Sequence, residues 1–170
     1  MLKRWNVFLI CFLFSCGCTS FKYNAKPQPI SSLVTSQWSG TGSISIENKA
    51  TPGLILLRSH DISYWGDLSQ MTETAIVLLS GEFSKRGFAV TQNAPKVLKV
   101  KMLYAGLAFT LSFYKCVMQL QAETGNGYQK VYYGYNVGSS FSRACDGTLA
   151  ITVAALLNDS KLIEYISFDE

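Results

Sequence analysis

The chain has 170 residues, a formal charge of +4, and 15% charged residues against 48% hydrophobic ones. That balance excludes disorder over most of the length, and the charge is too weak a field to argue for nucleic-acid binding. Once an export segment is set aside, the remainder is the size of one ordinary domain with a sufficient core.

Lys3 and Arg4 give a positive start, Trp5 to Phe14 is apolar apart from Asn6, and small residues follow. This is the pattern of a bacterial export signal. The apolar run is about ten residues, roughly half of the ~20 needed to span a bilayer as a helix, although an uncleaved membrane anchor is the alternative reading. The stretch Ser15-Cys16-Gly17-Cys18 resembles the lipobox of bacterial lipoproteins, in which a small residue precedes a cysteine that is acylated and becomes the new N-terminus. Cys16 follows Ser15 and has Leu13 upstream, whereas Cys18 follows Gly17 with Ser15 upstream. Cysteine counting favours Cys18, with Cys16 as the alternative. If Cys18 is acylated, Cys11 and Cys16 leave with the signal, and only Cys116 and Cys145 remain of the five. An even pair in an oxidising compartment suits a disulfide. Neither cysteine is followed by Asp, so the resemblance implies an outer-membrane lipoprotein facing the periplasm. The expected division is a signal peptide over 1–17, a tether over 18–37 and one periplasmic domain over 38–170. Loss of Lys3 and Arg4 lowers the formal charge from +4 to +2.

The stretch from Thr19 to Gln37 is polar, holds Pro27 and Pro29, and reads as the tether. Trp38 to Glu47 alternates as a half-buried strand, with Ile44 and Ile46 opposite Ser43 and Ser45. Pro52-Gly53 marks a turn, and Leu54 to Arg58 is a short second strand. His60 to Asp67 is polar and aromatic and contains the lone histidine; it reads as a loop leading into a helix, with Trp65 packed on the core. Met71, Ala75, Leu78, Leu79 and Phe83 recur at helical spacing after a cap at Asp67 or Ser69, and Lys85-Arg86-Gly87 ends that helix.

Phe88 to Thr91 is a short strand, and Lys96 to Tyr104 alternates with lysines on its outer side. Phe109, Leu111 and Phe113 share one parity, whereas Cys116, Met118, Leu120 and Ala122 occupy the other. One strand cannot keep both sets on one face, so a bulge or break is expected near Tyr114-Lys115. Thr124-Gly125-Asn126-Gly127 is a hairpin turn, returning as a tyrosine-rich strand from Tyr128 to Val137. Gly138-Ser139-Ser140 caps a helix from Phe141 to Leu157 whose stretch from Leu149 to Leu157 is apolar nearly all round except for Thr152, and a brief helix follows with Leu162, Ile163 and Ile166.

The order of a helix ending in Lys85-Arg86-Gly87-Phe88, the Asn93-Ala94-Pro95 link, a strand hairpin, Tyr135-Asn136-Val137 and a long C-terminal helix resembles the YajG-like family of bacterial lipoproteins, from about Met71 to Ile166. That resemblance carries no catalytic residues. The expected fold is α+β: a two-layer arrangement with a mainly antiparallel sheet of about five strands and two main helices on one face. The expected function is a non-catalytic, lipid-anchored binding or adaptor module for envelope assembly or transport, held to the membrane by its acyl chains and touching envelope proteins. No metal pattern, cofactor fingerprint or nucleophile motif is present, and no cofactor is expected. The candidate binding surface is His60, Tyr64, Trp65, Tyr132, Tyr133 and Tyr135. Two rivals are an envelope hydrolase using His60 with Asp61 or Asp67, and a lipid carrier with an apolar cavity between helices and sheet.

Overall fold

The computed structural model describes residues 20–59, 62–110 and 112–167. Cys16, Cys18, His60, Asp61 and Leu111 lie outside the described residues. In chain order the elements are β1 (Ser20–Lys22), β2 (Gly42–Asn48), β3 (Leu54–Ser59), β4 (Ile62–Asp67), α1 (Leu68–Lys85), β5 (Phe88–Val90), β6 (Lys96–Thr110), β7 (Phe113–Thr124), β8 (Gln129–Gly138), α2 (Phe141–Leu157) and α3 (Ser160–Ser167). The class is α+β, as expected.

A five-stranded sheet runs in the order β5-β2-β6-β7-β8, and a three-stranded sheet in the order β1-β4-β3. Both are mixed. In the larger sheet β2 pairs in parallel with β5 and β6, and the long ladders β6–β7 and β7–β8 are antiparallel. The smaller sheet was not expected, because 60–67 read as a loop. Instead β3 and β4 pair from Leu54↔Asp67 to Ser59↔Ile62, and β1 adds in parallel to β4.

The break expected near Tyr114-Lys115 lies elsewhere. β6 runs unbroken to Thr110, which pairs with Phe113 across a tight reversal, so the parity change is made by a turn between two strands. The bulge is at Leu103, where the register shifts between Met102 and Tyr104. An extra residue there bends β6. Below it β2 pairs with β6, ending at Asn48↔Val100; β3 packs against β6 as well.

α1 and α2 lie on one face. Asp67 accepts hydrogen bonds from the amides of Ser69 (2.7 Å) and Gln70 (3.2 Å), starting α1. Gly87 follows the helix with φ +94°, a conformation that suits glycine, and a side chain there would strike the Gly40 carbonyl. Ser140 caps α2, whose buried residues circle most of its surface. α2 approaches β8 so closely that a Cβ on Gly134 would meet Thr152. Met102, Met118, Leu120, Leu79, Phe83, Leu149 and Leu156 belong to the fully buried core shared by sheet and helices.

The segment expected as a tether is packed onto the domain from Ser20 onward. After β1, Tyr23, Ile30, Val34 and Trp38 are all buried in the common core. Their polar neighbours are met by the helices: Asp146 accepts from Tyr23 Oη (2.7 Å) and the Lys26 amide (3.0 Å). Glu82 accepts from Ser31 (2.6 Å), Asn158 from the Ser36 amide (2.9 Å), and the Leu157 carbonyl from Trp38 Nε1 (3.2 Å). This strap runs the length of the helical layer before β2 begins.

Strand directions give the domain two ends. At one end lie Ser20, the start of β4, the end of β6 and the start of α2; at the other lie the β7–β8 turn, α3 and the end of α1.

Candidate functional site: the helix-free face of the sheets

Side chains alternate across a strand, and this divides the expected binding residues into two sets. Tyr133 (67% exposed), Tyr135 (65%) and Trp65 (40%) point away from the core. Trp65 therefore does not pack on the core; it stands opposite Leu56 on an exposed side of the small sheet. Tyr132 and Tyr64 point the other way. Tyr132 is buried, and Tyr64 is half-buried with its ring stacked on Phe141 at 3.9 Å between centroids. Burial raises the Tyr64 hydroxyl pKa, and its hydrogen bond with Tyr114 raises it further.

Sequence reasoning missed the other members of the exposed set. Leu54 (65% exposed), Leu56 (41%) and Tyr104 (49%) join Trp65, Tyr133 and Tyr135 as large exposed apolar side chains on strands. The Tyr104 ring folds over Gly106, the next residue but one on the same side of β6, where any side chain would collide with it. Lys115 holds its ammonium 5.2 Å from the centre of the Tyr135 ring, within cation–π range. β8 is the last strand of its sheet, so one of its backbone edges is unpaired in the sheet. Leu54 and Leu56 escaped notice because Leu54 to Leu57 is a continuous apolar run, which gives no alternation from which to choose the exposed side.

Tyr132 belongs to a polar lock at the far end. Asp159 accepts from Tyr128 Oη (3.1 Å), from Lys130 Nζ, and from the amides of Lys161 and Leu162 at the start of α3. Burial works to raise the Asp159 pKa, but Lys130, the Leu162 amide and the Tyr128 hydroxyl outweigh it and hold the carboxyl below its ordinary value. The same carboxylate raises the Lys130 pKa through their hydrogen bond. Burial raises the Tyr132 hydroxyl well above its ordinary pKa, with Asp159 adding to the effect. Tyr23 is raised in the same direction by burial and by Asp146. These groups hold structure rather than offer chemistry at a surface.

Asp67 is engaged as the α1 cap at the end of β4 remote from residue 62, about five strand rises of ~3.3 Å away. Cys116 and Cys145 are joined, with Cα atoms 5.1 Å apart, linking the upper part of β7 to the first turns of α2. Among the described residues no group of three or more His, Cys, Asp or Glu is placed to hold a metal ion. Among them, too, no helix is long and apolar enough to cross a membrane.

No family model matches the chain, and no curated protein does. Among solved structures, it is similar to the protein XCC0632 from Xanthomonas campestris, described under the family model DUF330, at 11% identity and TM-score 0.48, over 87% of this chain and 94% of that one. It is also similar to the lipoprotein GNA1162 from Neisseria meningitidis, at 12% identity and TM-score 0.42, over 69% of this chain and 96% of that one. Neither match bears on the resemblance to the YajG-like family.

Proposed function

We propose that the protein is a non-catalytic adaptor, anchored by acyl chains on Cys18 at the periplasmic side of the outer membrane, that binds a partner of envelope assembly or transport. The observation that carries this reading is the set of exposed strand side chains: Tyr104, Tyr133 and Tyr135 share one face of the larger sheet, the last two on its edge strand β8, and Leu54, Leu56 and Trp65 are exposed on the small sheet. Large aromatic side chains exposed together favour protein contact, and an unpaired strand edge adds main-chain hydrogen bonds to it. The outer-membrane placement rests on the lipobox-like stretch and the absence of Asp after either cysteine. Sheet and helices share one continuous cluster of buried apolar side chains, which favours an adaptor over a lipid carrier.

The test is photocrosslinking from Tyr133 and Tyr135 in intact cells, compared with a crosslinker at Lys161 on α3. A discrete envelope protein captured from the two tyrosines, and lost in Tyr135→Asp, supports the reading. Equal capture from all three positions, or none, refutes it.

A further inference from the structure

The structure assigns a second contact surface: the end of the domain where the chain enters is docked on the lipid bilayer that holds the anchor. This inference rests on the anchoring reading above.

The length of chain outside the fold is the first ground. Ser20 is already paired in β1. Consecutive Cα atoms lie 3.8 Å apart, so an acylated Cys18 leaves at most about 8 Å between its Cα and that of Ser20. The headgroup layer is itself about 5–7 Å thick on each side of the hydrocarbon core. No spacer lifts the domain off the membrane, and whatever surrounds Ser20 must meet headgroups.

What surrounds it fits that role. Phe21 pairs beside Tyr64 with ring centroids 5.8 Å apart, Tyr64 hydrogen-bonds Tyr114, and Tyr114 adjoins Phe113 at the β6–β7 turn. Phe21 (49% exposed), Phe113 (52%) and Val137 (51%) stay open at this end, although a packed core lies directly beneath them. Val137 pairs with Lys115 near the top of β8.

Charge is the second ground. Lys22, Lys115 and Arg143 are exposed at this end. The described carboxylates that are not buried lie elsewhere: Glu123 pairs with Lys99 low on the sheet, Glu47 with Lys49, Glu73 accepts from Asn48 at mid-height, Asp67 caps α1, and Glu164 is on α3. His60 and Asp61 lie outside the described residues. Apolar rings framed by cations match the headgroup-to-acyl boundary of an anionic bilayer, where rings enter the acyl region and basic groups meet phosphate.

The full acylated chain, reconstituted in vesicles of phosphatidylethanolamine and phosphatidylglycerol with brominated acyl chains, tests this. Phe113→Trp is expected to be quenched about twofold or more over the parent chain. Gln129→Trp, at the opposite end of β8, is expected to be unchanged. Lys22→Glu with Lys115→Glu and Arg143→Glu should reduce the Phe113→Trp quenching. Equal quenching at both positions, or none at Phe113→Trp on a chain whose acylation is verified by mass, overturns the docking and leaves the anchor standing. An unacylated mature chain overturns both. Crosslinking of this end to a protein, without quenching, also counts against the bilayer as its occupant.

Discussion

Each end of the domain pairs a buried carboxylate and packs a cluster of rings, yet the two differ in what they leave exposed. The far end is closed by charge-assisted hydrogen bonds: Asp159 collects Lys130, Tyr128 and two helix amides, and Glu82 collects Ser31 and Lys85. The entry end has stacked and edge-on rings, with Tyr23, Tyr64 and Phe141 in contact, and is stapled by the Cys116–Cys145 bond. At the far end Asp159, Glu82 and Asn158 are paired inward. The other end keeps Phe21, Phe113 and Val137 outside. The lesson is that the entry end leaves Phe21 and Phe113 outside beside a core that buries rings of the same kind, Tyr23 and Phe141.

The largest effect on the entry end is expected from losing the Cys116–Cys145 bond. Reduction, or Cys116→Ser with Cys145→Ser, is expected to cost about 2–4 kcal/mol in denaturant unfolding. If the entry end is held as described, amides of early α2 should lose hydrogen-exchange protection before those of α3. Next in size, Asp159→Asn should cost about 1–3 kcal/mol, because Lys130 and Tyr128 lose a charged acceptor. Its pH signature is distinct. The folded carboxyl lies below its ordinary value, so its contribution is full above the unfolded pKa of about 3.9 and fades as pH falls through the folded value. The parent should therefore lose stability below about pH 4 more steeply than Asp159→Asn, read by denaturant midpoints across pH.

Releasing the strap is smaller. Tyr23→Phe removes one hydrogen bond to buried Asp146 while keeping the ring, and should cost about 1–2 kcal/mol. Limited proteolysis between residues 24 and 37 should quicken in that variant. The least effect on stability is expected from Phe113→Ser, within about 0.5 kcal/mol, because the ring is half exposed. The same variant should nonetheless weaken bilayer contact, separating a surface role from a structural one.

Much of the architecture was legible in the sequence, for physical reasons that also mark its limits. α1, α2 and the Thr124 to Gly127 turn carry strong local signals: helical spacing, an Asp or Ser cap, and glycine in a positive-φ position at Gly127. The strap carried none. Tyr23, Ile30, Val34 and Trp38 are irregularly spaced, and the polar groups between them are satisfied by Asp146, Glu82 and Asn158, more than fifty residues away. Nothing local distinguishes such a strap from a tether. The candidate surface was half legible. Tyrosines in β8 were visible as a group, but their division between Tyr132 inside and Tyr133 and Tyr135 outside follows from which face the helices cover. Only tertiary packing decides that.

The measurement that bears most directly on this account is the mass of the mature N-terminus purified from membranes. The expected result is a chain beginning at an acylated Cys18, two residues before Ser20 opens β1. Acylation at Cys16 would keep the anchor but lengthen the reach to Ser20. An unacylated chain, or one that retains residues 1–17, would contradict the account.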